Sequence, residues 1–172
     1  PWQSFLSNYP EWFTYFNEYN YKPHRAFGSP IILSNGYSSE ERFLSFVNTN
    51  LNDFNIPQDI FLSRKTENDK YINLDFTQYY NNLEIIDSRL YAKLTLDNKL
   101  VAFGLDVFSD VSLDVIPTIS ESMAIESASE NIISSITKKS VEDNLKILPI
   151  PFNAKYDFHL VYVVRVSTQL SH

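Results

Sequence analysis

Between Asp59 and Asp110 the apolar residues recur at every second position, and that period decides what most of the chain can become. Successive side chains of a strand point to opposite faces, so a period of two makes one face apolar and leaves the other polar. Ile60 and Leu62 open the pattern on one side. Ile72, Leu74 and Phe76 alternate with Asn73, Asp75 and Thr77, and Leu90, Ala92, Leu94 and Leu96 alternate with Tyr91, Lys93 and Thr95. Val101, Phe103, Leu105 and Val107 continue it. One-sided strands of this kind predict an antiparallel sheet with one buried and one wetter face. The connections at Asn68-Asp69, Asn81-Asn82 and Asp97-Asn98 suit hairpins, because Asn and Asp tolerate the left-handed backbone of tight turns.

Helical signals flank this block. Residues 12–19 read as a first strand, and Gly28 and Pro30 punctuate the segment after it. Ser38 and Glu41 form an S-x-x-E capping box ahead of Phe43, Phe46, Val47 and Leu51 at helical spacing, with Phe54 near the end and Pro57 as the stop. Residues 109–119 read as a linker. Ser120 is a good N-cap for a second helix whose Ala124, Ala128 and Ile132 share a face small enough to sit close on a sheet. A strand at 145–150, a turn at 151–154 and a last strand at 158–166 follow. The last strand is apolar on both faces, which predicts a central position. Strands outnumber helices and are hairpin-linked, so the fold class is α+β with antiparallel sheets, each packed by a helix.

Composition narrows the function classes. The 172 residues, 44% of them hydrophobic, are enough for a real core. A net charge of −7 disfavours nucleic acid and anionic lipid as partners. The absence of cysteine excludes disulfides, thiolate metal sites and cysteine nucleophiles. The longest apolar run, Leu160 to Val164, falls far short of the ~20 residues of a membrane helix. The chain opens at Pro1 without Met, which reads as a piece of something longer.

No reactive constellation stands out. HExxH, GxSxG, the P-loop and GxGxxG are all missing. His24, His159 and His172 share no metal-ligand spacing, and His159 reads as a surface or half-buried structural residue. Asp106, Asp110 and Asp114 are spaced by four, but on a segment of strand period without the glycine of a calcium loop. No catalytic residue, metal or cofactor is expected. Phe76, Gln78 and Tyr80 share a face by the period of two and read as a strand anchored by its Phe, or as a recognition surface.

The order of several short motifs adds a resemblance. Phe76-x-Gln78-x-Tyr80, then Leu83-x-Ile85-x-x-Ser88-x-Leu90, then Asp97-Asn98-Lys99-Leu100, resembles the fungalysin/thermolysin propeptide (FTP) pattern, F-x-Q-x-Y-x-G-x-x-V. Pro117-Thr118-Ile119-Ser120 with Ala124 and Ala128 is similar to the P-x-I-S-x-x-x-A-x-x-x-A entry of a PepSY-like, cystatin-like subdomain. The terminal HLVYVVRV resembles the PepSY strand that precedes a V-D-A-x-T-G hairpin, and that hairpin is missing. Phe16-Asn17, Pro23-His24-Arg25 and Gly28-x-Pro30 look like the segment ahead of FTP in secreted bacterial metallopeptidases. Asn82 stands where the pattern has Gly, and Asn can hold a positive φ.

The resemblance implies an FTP-like subdomain over 1–110 and a PepSY-like subdomain over 111–172, truncated at its end. It implies a secreted or periplasmic location, and a partner that is the chain's own C-terminal, or a cognate, zinc metallopeptidase domain. The function it implies is that of a propeptide: intramolecular chaperone and steric inhibitor, without catalysis of its own. The family-motif residues Phe76, Gln78, Tyr80, Ile85, Ser88, Pro117, Ser120, Ala124 and Ala128 would then be structural or docking residues. Two other readings stand beside it. One is a binding module of a secreted bacterial protein that has no peptidase. The other is a carbohydrate-binding sheet drawing on Tyr15, Tyr19, Tyr21, Tyr79 and Tyr91 as exposed aromatics.

Overall fold

The computed structural model describes residues 1–33, 36–130, 132, 135–142 and 145–169. Helix α1 (Trp2–Asn8) comes first, then β1 (Phe13–Phe16), β2 (Pro23–Ile32) and helix α2 (Ser39–Asn50). Strands β3 (Ile60–Glu67), β4 (Tyr71–Tyr80), β5 (Leu83–Glu84), β6 (Arg89–Thr95) and β7 (Lys99–Asp106) follow. All pair antiparallel in the order β1-β2-β7-β6-β4-β3, with β5 off β4. The fold is α+β, as the period of two and the caps predict.

The inner face of this sheet makes the core. Leu74 and Phe76 of β4, Leu90, Ala92 and Leu94 of β6, and Phe103 and Leu105 of β7 meet Phe43, Phe46 and Val47 of α2. The Phe43 and Phe76 rings lie 5.9 Å apart. Burying one such side chain stabilises by about 1.5–3 kcal/mol. The capping box forms as the sequence predicts. Ser38 Oγ accepts from Glu41 N at 3.1 Å, and the Glu41 carboxylate accepts from Ser38 N at 3.3 Å. Helix α2 stops at Asn50, ahead of Pro57. A 3-10 turn over Asn52–Phe54 and a left-handed Asn55 (φ 52°) make the stop.

Other elements differ from the sequence reading. Helix α1 leaves no signal in the apolar pattern: it is seven residues long with one buried side chain, Phe5. That ring packs between Trp12, Phe46 and Phe103 at 5.6–6.4 Å. The expected strand over 12–19 is only Phe13–Phe16. Gly28 and Pro30 lie inside β2, where they occupy a bulge: Phe27 pairs with Ala102 and Ile31 with Leu100. Without a Cβ at Gly28 the Trp12 ring lies directly on β2, and its Nε1–H donates to the Ser29 carbonyl at 2.9 Å. A second bulge leaves Val101 unpaired between Ala102 and Leu100, so Leu100 takes the core position expected of Val101. Leu62 on edge strand β3 and Leu96 in a turn are largely exposed, 42% and 47%.

The C-terminal part is a bent two-stranded ribbon. Helix α3 (Glu121–Ser129) precedes β8 (Ile136–Val141), β9 (Lys146–Phe152), β10 (Lys155–Val161) and β11 (Val164–Thr168). Strand β9 pairs with β10, and β8 pairs with β11. The single central strand expected over 158–166 is therefore two strands, broken at Tyr162-Val163, and none of their residues is fully buried. Among the described residues β10 and β11 each pair with one strand only, so neither lies at the centre of a sheet. The Asn153-Ala154 turn, with φ of 47° and 59°, closes β9 on β10.

Helix α3 begins at Ser120, whose Oγ accepts from Met123 N at 3.3 Å. It lies against β8 and β11. Ala124 is buried and Ala128 is exposed, while Ile132 lies beyond the helix end. The shared face expected of these three is thus reduced to Ala124, because a ribbon is too narrow to cover two turns of helix. On the far side of β9, Ile86 N–H donates to the Ile147 carbonyl at 2.8 Å. Residues 147, 149 and 151 accordingly face away from β10. Pro149 and Pro151 stand where the ladder needs no N–H.

Candidate functional site

The F-x-Q-x-Y residues meet at the joint between sheet and ribbon. Strand periodicity puts Phe76 and Gln78 on the inner face of β4, both nearly inaccessible. The Gln78 amide is flat and carries one donor side and one acceptor side, like a peptide group. It uses both on one residue: Nε2–H donates to the Phe108 carbonyl at 2.7 Å, and Oε1 accepts from Phe108 N at 2.8 Å. Gln78 therefore acts as a missing strand partner for the chain just as it leaves β7. Ser88 Oγ accepts from Gln78 N at 2.9 Å and donates to the Ile85 carbonyl at 2.7 Å, which fixes the loop after β5.

Around this clamp lies a second apolar cluster. Ile85, Phe108 and Ile147 are its buried members, with Tyr80, Leu83, Tyr156 and Phe158 packed on them. The Phe108 ring meets Tyr156 and Phe158 edge-on at 4.9 and 5.5 Å. Lys146 bridges Glu84 and Glu142 at 3.2 and 3.1 Å; those hydrogen bonds, Glu142 first, raise its pKa. The tight turn beside the joint has φ of 49° at Asn81 and 65° at Asn82, so Asn82 does adopt the conformation of the pattern's Gly. Five of the motif residues, Phe76, Gln78, Tyr80, Ile85 and Ser88, thus come together. Pro117 is exposed and Ser120 serves as the α3 cap, both away from this joint.

A cleft of about 740 Å³ opens beside the joint, between the 16–22 segment, the 53–55 turn and β10. Lys22 forms part of its wall although only 6% of the residue is exposed. Its Nζ donates to Ser109 Oγ at 2.5 Å and to the Asn55 carbonyl at 3.3 Å, and Ser109 Oγ donates to that same carbonyl at 2.6 Å. Burial lowers the Lys22 pKa to about 8, against the opposing pull of the Asp110 charge. Tyr21 at the cleft has φ of 55°, uncommon for a bulky residue. Sequence reasoning missed Lys22. One lysine in a polar NYK stretch carries no periodic or spacing signal, and its burial comes from residues 33 and 87 positions away.

Among the described residues, no helix packs on the outer sheet face. Phe13 and Tyr15 of β1 flank Phe27 of β2 at 6.3 Å each, and Arg25 stands over Phe27 at 6.0 Å. Arg89 lies over Tyr91 at 4.5 Å and Lys93 over Tyr71 at 4.0 Å. Tyr15 and Tyr21 are exposed, whereas Tyr19, Tyr79 and Tyr91 are half-buried rather than exposed. His24 Nδ1 lies 2.9 Å from both oxygens of Asp106, on the surface. Asp114 accepts from Ile116 N at 3.0 Å. His159 is exposed, and His172 lies outside the described residues. Among the described residues, no three His, Asp or Glu side chains form a cluster able to hold a metal ion.

No family model and no curated protein matches the chain. Among solved structures it is similar to the Bacillus megaterium YpeB C-terminal domain, with 14% sequence identity and a TM-score of 0.39, over 86% of this chain and 62% of that one. The chain spans less than two thirds of that domain, and a likeness at this level carries no argument about function.

Proposed function

We propose that this chain is a non-catalytic docking module, the prodomain portion of a secreted fungalysin/thermolysin-type zinc metallopeptidase that it helps to fold and holds inactive by steric cover. The observation that carries the docking reading is the helix-free outer face with its exposed Phe13, Tyr15 and Phe27. Large exposed aromatics gathered on one face mark an interaction surface. The motif residues fit the same reading, because Gln78 and Ser88 engage backbone and leave no reactive group free. A module that binds the native peptidase stabilises it by mass action, and needs no chemistry to block its cleft.

The test uses the chain added in trans to a fungalysin-type peptidase. Hydrolysis of a peptide substrate should fall at micromolar chain, and the peptidase should refold faster in its presence. The triple change Phe13→Ser, Tyr15→Ser and Phe27→Ser should weaken both effects while far-UV circular dichroism stays unchanged. Unchanged hydrolysis and refolding with the wild-type chain would overturn the proposal.

A further inference from the structure

The cleft beside the joint holds a buried cation with no carboxylate in contact among the described residues; the charge acting on it is that of the exposed Asp110. Lys22 Nζ has three hydrogens, and two go to neutral acceptors, Ser109 Oγ and the Asn55 carbonyl. Among the described residues no carboxylate lies within ion-pairing distance of it. Buried charges are ordinarily paired, and among the described residues this ammonium, on the wall of an open cleft, has only these two neutral partners. Phe16, Phe54, Phe108, Tyr156 and Phe158 make an aromatic part of the same wall. The left-handed Tyr21 sets a further exposed ring beside it, and strain of that kind gathers at ligand clamps.

We propose that this cleft binds the carboxylate end of an apolar polypeptide segment, with the terminal carboxylate on Lys22 and its side chain against the aromatic wall. A chain end suits the site better than an internal Asp or Glu. It carries an apolar side chain on the carbon next to the carboxylate, which can lie on the aromatic part of the wall, and it brings one peptide flank into the cleft instead of two. A cleft of about 740 Å³ lies within the usual ~300–1,000 Å³ of ligand sites. The other ionisable side chains on its wall are Asp53, Asp110, Tyr19, Tyr21, Tyr156 and Lys155. The two aspartates are exposed, so water screens their repulsion of the ligand. The assignment does not depend on the prodomain reading.

The probe is acetyl-Leu-Phe with a free carboxylate, titrated into the full chain and followed by NMR. Its C-terminal amide is the first control, and acetyl-Glu-Phe-amide, whose carboxylate is on a side chain, is the second. The free acid should shift the resonances of Lys22, Tyr21 and Tyr156 and bind about tenfold or more tightly than either control. It should also move the Lys22 titration midpoint upward from about 8. Lys22→Met should erase the preference for acid over amide, and Tyr21→Gly should weaken all three ligands. No shift with millimolar acid, equal binding of acid and amide, equal binding of the side-chain carboxylate, or an unmoved midpoint would each overturn the assignment. The midpoint is read on the wild-type chain, so the test stands even if Lys22→Met does not fold.

Discussion

Replacing Gln78 by Leu tests the joint most directly. The substitution keeps roughly the same volume and removes both hydrogen bonds to Phe108, whose N–H and carbonyl then lie buried without a partner. Each orphaned group costs about 1–3 kcal/mol, so the pair should cost about 2–6 kcal/mol. For a chain of this length that corresponds to a Tm fall of roughly 4–24 °C. Urea denaturation followed by the fluorescence of Trp2 and Trp12 reads the loss. Gln78→Glu sharpens the test. Protonated, the new carboxyl can donate to the Phe108 carbonyl and accept from its N–H, as the amide does. Ionised, it turns a second acceptor onto that carbonyl. The folded variant therefore holds this proton more tightly than the unfolded one. Its stability should approach that of wild type below about pH 4 and fall away from it as pH rises. A Gln78→Leu cost under about 1 kcal/mol, or a Gln78→Glu deficit that does not grow with pH, would refute the clamp.

Three further outcomes are expected. Folded Lys22 loses its proton near pH 8 and an unfolded lysine near pH ~10.4, so the unfolded chain binds more protons in that window. Wild-type stability relative to Lys22→Met should therefore rise across the window, by up to about 3 kcal/mol, in paired denaturation curves. Gly104→Ala should destabilise by about 1–3 kcal/mol in the same assay, because its Cβ would collide with the Tyr91 ring and the His24 carbonyl. Asn82→Gly should be neutral or stabilising by a few tenths of a kcal/mol, since φ at that position is 65°.

What could be read from sequence was what local chemistry decides. The Ser38–Glu41 capping box, the Ser120 cap and the Asn81-Asn82 turn each depend on a few adjacent residues, and each formed. The alternation in β4 and β6 likewise placed Leu74, Phe76, Leu90 and Ala92 correctly inside. Errors came where a distant partner decides. Val101 lost its core place to Leu100 because of a bulge set by pairing with β6. Among the described residues the apolar 158–166 run pairs along one edge only, and Ala128 finds no third strand to lie on. For Gln78 the sequence offered a structural or docking role but not the partner it bonds, since Phe108 is 30 positions on. Lys22 left no trace at all.

Pro149 and Pro151 give the β9–β10 half of the ribbon two unlike flanks. Along β9 the outward carbonyls of these residues have no neighbouring N–H donors of their own, so an incoming strand finds only half of its pattern. Along β10, Tyr156, Phe158 and Leu160 turn complete peptide groups outward. Growth by strand addition needs both flanks to be competent in every copy. This half of the ribbon can accept one visiting strand yet cannot hand the template on, which favours a terminated pairing over a fibre.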